Sequence, residues 1–457
     1  MAPTQAITQA AAEFAATLRF DQIPQAAHAT VAAGFSDCIA VMLAGSTEPA
    51  VRILCEELAA EDSGQSAVLL SGRRVRATDA ALINGTAAHA LDYDDIGLGA
   101  HPAHPSAVLV PAILAVADEA GSSGAEMIAA YVAGYEVWGD VALRDADQHL
   151  ARGWHPTGVF GPLAAAAAAS NLLKLDIAQT RSAIAIAASR SAGLLSNYGS
   201  MTKPMHAGLA AQAGVFAARI AARGFTGGPT ALEHGKGLIQ AVSPSGRFDL
   251  EKPARYGADW HILSLPLGFK RYPVCYAMHR AIDAAVQLQQ EFGPGDVGRI
   301  REVRVRIGTD QAKLLHIHTP QDSLQAKFSL EFAMASALLT GRVGLEQLSD
   351  EFVRSEPVVK MMERVKTDIT EERDPVYRIF SPTDELTLEL DGLPQRSLGC
   401  SVALGHPDKP LQREDHRTKF IDCAGHAYGQ GDALRTFDLL MNLPALSRTA
   451  DLPCTTL

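Results

Sequence analysis

The 457-residue sequence lacks the marks of several large protein classes. Its six cysteines, Cys38, Cys55, Cys275, Cys400, Cys423 and Cys454, are scattered without a CxxC pair. Neither a disulfide framework nor a zinc ribbon is therefore expected, and a reducing compartment is the default. No Lys/Arg run exceeds two residues, and the formal charge is −11 with a pI near 5.8. That balance lacks the basic footprint of a nucleic-acid binder. No GxxxxGK[ST] occurs and no GxGxxG joins a strand to a helix, which removes the common nucleotide cradles. The first twenty residues show no cationic stretch leading into an apolar one, so no signal peptide is expected. The most apolar run, residues 159–169, is mostly alanine, is broken by Gly161 and Pro162, and is too short to cross a bilayer. The expectation is a soluble cytoplasmic protein with no nucleic-acid or membrane partner.

What is present is apolar bulk. Hydrophobic residues make up 47% of the chain and charged ones 20%, with a mean hydropathy of +0.04, enough to bury a large core. The length allows about three domains, or one helical domain with a smaller partner. From residue 1 to about 265, apolar side chains recur three and four apart, as at Ala27, Val31, Phe35, Cys38, Ile39 and Met42, which predicts helices. Residues 162–173 and 207–222 are small or apolar nearly all round, as suits helices inside a bundle. An alanine-rich composition alone does not explain the phase of the larger side chains.

Near Gly268 the period changes. Val303, Val305 and Ile307 alternate with Arg304 and Arg306, and Leu386, Leu388 and Leu390 with Thr387 and Glu389, predicting half-buried strands. Residues 365–369 and 376–380 are two further candidates, with helices predicted over 328–340 and 345–352. After Pro410 helical spacing returns through Phe420, Cys423, Leu434, Phe437 and Leu440. The expected fold is mainly α: a large all-helical domain built from both chain ends (1–267 and 406–457) plus a smaller α+β domain (268–405) with a mostly antiparallel sheet.

Four polar constellations interrupt this pattern. The densest holds Asp92, Asp94, Asp95, His101 and His104 within thirteen residues, in a segment whose Gly97, Gly99, Pro102 and Pro105 predict a loop. Carboxylates and imidazoles are metal ligands, but His-x-x-His in a proline-bearing loop lacks the helical i,i+4 geometry, and no third ligand set is evident. A bland alternative has Asp94 or Asp95 capping a turn and His104 capping the next helix. The third alternative, acid/base chemistry, is favoured. The second constellation is the turn around His155, as apt for a structural histidine as for a base. The third is Lys203, among small apolar stretches where packing rarely asks for lysine; it either snorkels or meets an anion. The fourth is Lys270-Arg271-Tyr272, where helical spacing gives way to strands. In an acidic protein, Lys203, Lys270 and Arg271 are the cations that a carboxylate substrate would need.

In order along the chain, NGTAAHALDYDD, HPSAVLVPAILAVAD, GYEVWGD, GWHPTGVFGPLAAAAAAS, MTKPMHAGLAAQAG, GFKRYPVCYAMH and AKFSLEF resemble the MmgE/PrpD family over nearly the whole chain. That family includes 2-methylcitrate dehydratase, cis-aconitate decarboxylase and iminodisuccinate epimerase. The resemblance implies a large helical domain with an α+β lid, a site between them, no metal or other cofactor, and a homodimer. It implies Asp92, His104, His155, Lys203 and Lys270 as catalytic residues. Arg271, His101 and Tyr272 are expected to bind substrate. The shared chemistry is proton removal beside a carboxylate, with cations steadying the enediolate-like charge.

Two departures bear on the reaction. Ile96 follows Asp95 where the dehydratase and decarboxylase branches usually carry threonine. The lid tyrosine of the decarboxylase has no clear counterpart in Leu315-His316-Ile317-His318-Thr319. They favour an epimerase of an iminodisuccinate-like amino-dicarboxylate, with a lyase of the 2-methylcitrate dehydratase or cis-aconitate decarboxylase type as the alternative. A non-catalytic carboxylate-binding homologue is the reading from another class.

Overall fold

A computed structural model describes residues 6–97, 102–293, 295–375 and 377–455. The chain is mainly α and divides into two compact units, Met1–Gly268 with Gln412–Leu457, and Phe269–Leu411.

Among the described residues the first unit holds nine principal helices before residue 222: α1 (Ile7–Thr17), α2 (Gln25–Gly45), α3 (Pro49–Leu58), α4 (Ala77–Ala90), α5 (Pro105–Ala120), α6 (Gly124–Ala142), α7 (Pro156–Leu172), α8 (Ile177–Ala188) and α9 (Thr202–Ala221). Every side chain of α7 is buried, which explains an alanine run with almost no amphipathic phase. Small residues let backbones meet. A Cβ on Gly85 of α4 would lie 2.7 Å from the Gly208 Cα of α9, and one on Gly208 would lie 2.2 Å from the Leu82 carbonyl oxygen. Gly214 meets α7 in the same way, its Cβ position lying 2.3 Å from the Ala165 Cβ. α4, α7 and α9 therefore form one tightly packed group.

Among the described residues one helix, α2, is long and apolar enough by composition to cross a membrane, although residues 159–169 were the expected apolar maximum. Most of α2 is buried against its neighbours, and its buried Asp37 Oδ1 lies 2.7 Å from Lys419 Nζ. Lys419 belongs to the helix Arg413–Tyr428, which packs on α2.

The second unit is built on a four-stranded sheet in the order Val365–Thr370, Ile300–Gly308, Asp384–Leu390, Arg396–Cys400. The first pair is parallel and the other two are antiparallel. Val303, Val305, Ile307, Leu386 and Leu388 point inward, beside the helices His279–Gln290 and Leu330–Thr340. The strand expected over 376–380 does not form. Val376 lies outside the described residues, and Phe380 N–H donates to the Tyr377 carbonyl at 2.8 Å, closing a turn. The fourth strand is Arg396–Cys400 instead, a partly exposed edge whose Ser-Leu-Gly-Cys sequence carries little alternation. The helix expected over 345–352 is broken into Leu345–Gln347 and Asp350–Val353, the second started by Ser349 accepting from Phe352 N–H.

Candidate active site

The site begins where α4 ends. Asp92 follows the last turn with φ +50°, a left-handed position usually given to glycine, and its N–H donates to the His89 carbonyl at 3.2 Å. The chain then runs through Asp94 and Asp95 into a two-residue strand, Ile96–Gly97, paired antiparallel with Leu267–Gly268. It re-emerges at His104, the residue preceding α5, whose N–H donates to Thr157 Oγ1 of α7 at 3.2 Å. The described parts of the expected loop, 92–97 and 102–104, lie outside any helix and include this short strand. His101 lies outside the described residues.

Three buried imidazoles converge on this loop. His89, in the last turn of α4, has Nδ1 at 3.0 and 2.9 Å from the two Asp94 carboxylate oxygens. His104 Nδ1 lies 2.7 Å from the Asp95 carbonyl oxygen and 3.1 Å from Asp94 Oδ2. Each of these Nδ1 atoms faces only oxygen acceptors, so each must donate, leaving the lone pair of a neutral ring on Nε2. His155 immediately precedes α7, as His104 precedes α5. Its ring centroid is 5.6 Å from that of His89 and 6.3 Å from that of His104, and its Nδ1 meets His206 Nδ1 at 3.1 Å. Of two facing imidazole nitrogens, one donates and the other accepts.

The cation of the group is Lys203, in the first turn of α9 and buried, with Nζ 3.0 Å from Asp92 Oδ2. Tyr198 lies under both groups: Lys203 Nζ is 4.9 Å from its ring centroid and the His155 ring meets it edge-on at 5.3 Å. The close α4–α9 contact thus joins Asp92, just after one helix, to Lys203, at the start of the other.

Burial sets the protonation pattern. It pulls His89 down to about 3 despite Asp94, with Lys203 and His104 adding to the fall. His155 is held well below the usual range by burial and by the charges of His89 and Lys203, and His206 falls to about 4 by burial and then Lys203. Burial would raise Asp94, but the charges and hydrogen bonds of His89 and His104 outweigh it and hold Asp94 well below the usual carboxylate range. Asp95 goes the opposite way. Burial, with Asp94 and Asp37 nearby, pushes it well up against the hydrogen bond from Ser106.

Asp95 takes the helix-capping task that the bland alternative gave to His104. It accepts from Ser106 Oγ at 2.5 Å and from Ser106 N–H at 3.2 Å, covering the start of α5, while Tyr131 OH meets Ser106 Oγ at 2.7 Å. His104 makes no side-chain cap there. Lys419 supports the loop from below, donating to the Tyr93 carbonyl at 2.7 Å with its ammonium 4.0 Å from the Tyr93 ring centroid.

Of the residues expected at a site, Asp92, His104, His155 and Lys203 come together. Lys270, Arg271 and Tyr272 belong to the second unit, where Lys270 is buried, Arg271 half-buried, and Tyr272 OH donates to Asp283 Oδ1 at 2.8 Å. Burial and then Asp283 raise the Tyr272 phenol. His316 and His318 are exposed, His318 Nδ1 lying 2.8 Å from Glu331 Oε1. Sequence reasoning missed His89, His206 and Tyr198. The available signal for His89 was a lone imidazole in an otherwise small and apolar helix, five residues before an aspartate. The missing third ligand also appears: His89, His104 and His155 each bring a nitrogen within 4.8 Å of the others, as do ligand atoms of His89, Asp92 and Asp94.

Comparison with known proteins assigns the sequence on both sides of residue 260. The MmgE/PrpD N-terminal domain matches residues 9–251 and the MmgE/PrpD C-terminal domain residues 272–443. Cis-aconitate decarboxylase of Mus musculus is 29% identical over 362 residues, covering 76% of this chain and 72% of its own. The Homo sapiens protein of that name is 29% identical over the same span. Cis-aconitate decarboxylase of Aspergillus terreus is 26% identical over 465 residues, covering 96% of this chain and 94% of its own.

Proposed function

The chain belongs to the MmgE/PrpD family, and from that premise we propose that it is a lyase acting on a small di- or tricarboxylate, of the cis-aconitate decarboxylase or 2-methylcitrate dehydratase kind. The named relatives favour this over the epimerase expected from sequence. The observation that carries it is the Asp94 clamp. A carboxylate that fixes His104 through Nδ1 leaves Nε2 as a proton acceptor, and it steadies the imidazolium formed when that nitrogen is loaded.

In this reading Lys203, aimed by its ion pair with Asp92, faces a substrate carboxylate and the negative charge that develops beside it. In a dehydration, His104 takes the proton from the carbon next to the carboxylate, and the electron pair forms the double bond as hydroxide leaves. In a decarboxylation, C–C cleavage releases CO2 and leaves the pair delocalised toward the remaining carboxylate; a protonated imidazole returns a proton to carbon. His155, which exchanges donor and acceptor roles with His206, is the second proton carrier. Lys270 and Arg271 are carried as participants on the family resemblance, as is the homodimer, which a mass measurement in solution checks.

The test is product analysis with cis-aconitate and 2-methylcitrate separately. Release of CO2 from the first, or a new unsaturated tricarboxylate from the second, supports a lyase. Absence of both, with α-hydrogen exchange into an amino-dicarboxylate in D2O, moves the assignment to the epimerase. That second reading keeps one specific support: buried Ile96, where the lyase branches usually carry a hydroxyl. Changing Lys203 or Lys270 to Ala should raise KM and lower kcat together, because substrate and intermediate share the carboxylate charge.

A further inference from the structure

The three histidines make a second arrangement beyond proton transfer. Each Nδ1 is engaged: His89 with Asp94, His104 with the Asp95 carbonyl and Asp94, His155 with His206. The nitrogens left over are the three Nε2 atoms. Those of His89 and His155 are buried and find no hydrogen-bond partner among the described residues. Buried polar atoms are seldom left unpaired, so with His155 Nδ1 donating to His206 these nitrogens call for an occupant that accepts lone pairs. We propose that His89, His104 and His155 form an inhibitory site for one divalent transition-metal ion of the zinc class.

The donor set selects the ion. Three neutral imidazoles suit zinc, cobalt, nickel or copper, and they do not suit magnesium or calcium, which require oxygen ligands. Asp94 supplies the carboxylate behind a ligating imidazole that orients the ring and raises its basicity, and it does so for two of the three. One ring nitrogen from each of the three histidines lies within 4.8 Å of the other two. A tetrahedral ion with Zn–N of about 2.0–2.1 Å draws its ligands to about 3.4 Å apart, a closure of at most about 1.4 Å that small ring and backbone shifts supply. Water takes the fourth position.

The surrounding charge is compatible. Asp94 and Asp92 are the anions at the cluster, and the opposing cation, Lys203, stays paired with Asp92. The inhibitory consequence rests on the proposed function: an ion on the Nε2 lone pairs occupies the atoms that must exchange a proton with substrate. Turnover should accordingly survive exhaustive chelation and fall when the ion is added.

Binding is read without reference to turnover. Protein stripped with EDTA and desalted is titrated with Zn2+ by calorimetry and with Co2+ by visible absorption. The expected result is one ion per chain, with the intense visible bands of four-coordinate cobalt. His89→Ala, His104→Ala and His155→Ala should each weaken binding by about 100-fold or more, and Asp94→Asn by about 10–100-fold. His318→Ala, on the exposed surface, should change nothing. His104 is the least buried of the three, so its variant is the control for folding, checked by circular dichroism. No saturable uptake by the wild type, or equal uptake by folded His104→Ala, overturns the site. Tight uptake without loss of turnover overturns the inhibition alone. A chain with no lyase activity that still binds one ion through these histidines fails the functional reading and supports the site.

Discussion

Asp92 is held in a conformation that costs about 1–3 kcal/mol for a non-glycine residue, and it is buried against the ammonium of Lys203. Glycine would relax the backbone, so the side chain is what the position retains. Removing one partner of a buried pair strands the other charge, at about 3–5 kcal/mol, whereas replacing both restores an uncharged interior. Asp92→Asn and Lys203→Met should therefore each lower stability by that amount, and the double variant should recover most of it in urea unfolding. Turnover should fall about 100-fold or more in all three. Full additivity of the two losses would show that the charges do not couple. His104→Gln should lower kcat by about 10²–10⁴-fold, the usual worth of a positioned proton carrier, with KM little changed. At this scale the sequence exposed the polar residues standing where packing would not place them, Lys203 above all. It did not expose His89, because one imidazole in an alanine-rich helix reads as core until Asp94 is seen folded back onto it.

Helices α4 and α9 show how an element carries the site. Their separation is set by Gly85 and Gly208, and a Cβ at Gly208 would lie 2.2 Å from a backbone oxygen that cannot swing aside. Gly208→Ala should push the helices apart at a cost of about 3 kcal/mol. Because Lys203 begins one helix and Asp92 follows the other, the variant should lose turnover even at temperatures where it stays folded. Wild-type kcat at full folding would contradict the link. Helices and strands with a clear period were readable from sequence: alternation at Val303–Ile307 and at Leu386–Leu390 marks real strands. The edge strand Arg396–Cys400 was not readable, since an exposed strand buries too little to impose alternation, and 376–380 had strand-like residues but closes a turn.

Across the whole molecule the charge of −11 describes the surface, while the response to pH comes from buried groups that composition cannot show. In the helical unit burial lowers His89 to about 3 and His206 and His416 to about 4, and raises Glu136 to about 7. A histidine with a lowered folded value contributes stability that is complete above the ordinary value of about 6.5 and is lost as pH falls toward its folded value. A carboxylate with a raised folded value does the reverse, being favourable at low pH and losing that contribution as pH rises through the folded value. His155 and His261 are lowered too, and Asp95 and Asp118 raised, so five lowered histidines stand against three raised carboxylates and make this unit weaken on acidification from pH 7.5 to 5. In the α+β unit, burial raises Asp384 to about 6, with Ser381 Oγ and Gln311 Nε2 donating to it, and also raises Asp283; His406 is the opposing lowered histidine. Two carboxylates against one histidine tilt this unit toward greater stability over the same interval. Hydrogen exchange by mass spectrometry at pH 5 and 7.5, corrected for intrinsic rates, should show faster opening of α7 and α9 at pH 5 and slower opening of the Asp384–Leu390 strand. Asp384→Asn should remove most of the strand's response, whatever it does to absolute stability. Parallel changes in the two units would show that these buried groups do not govern the pH dependence.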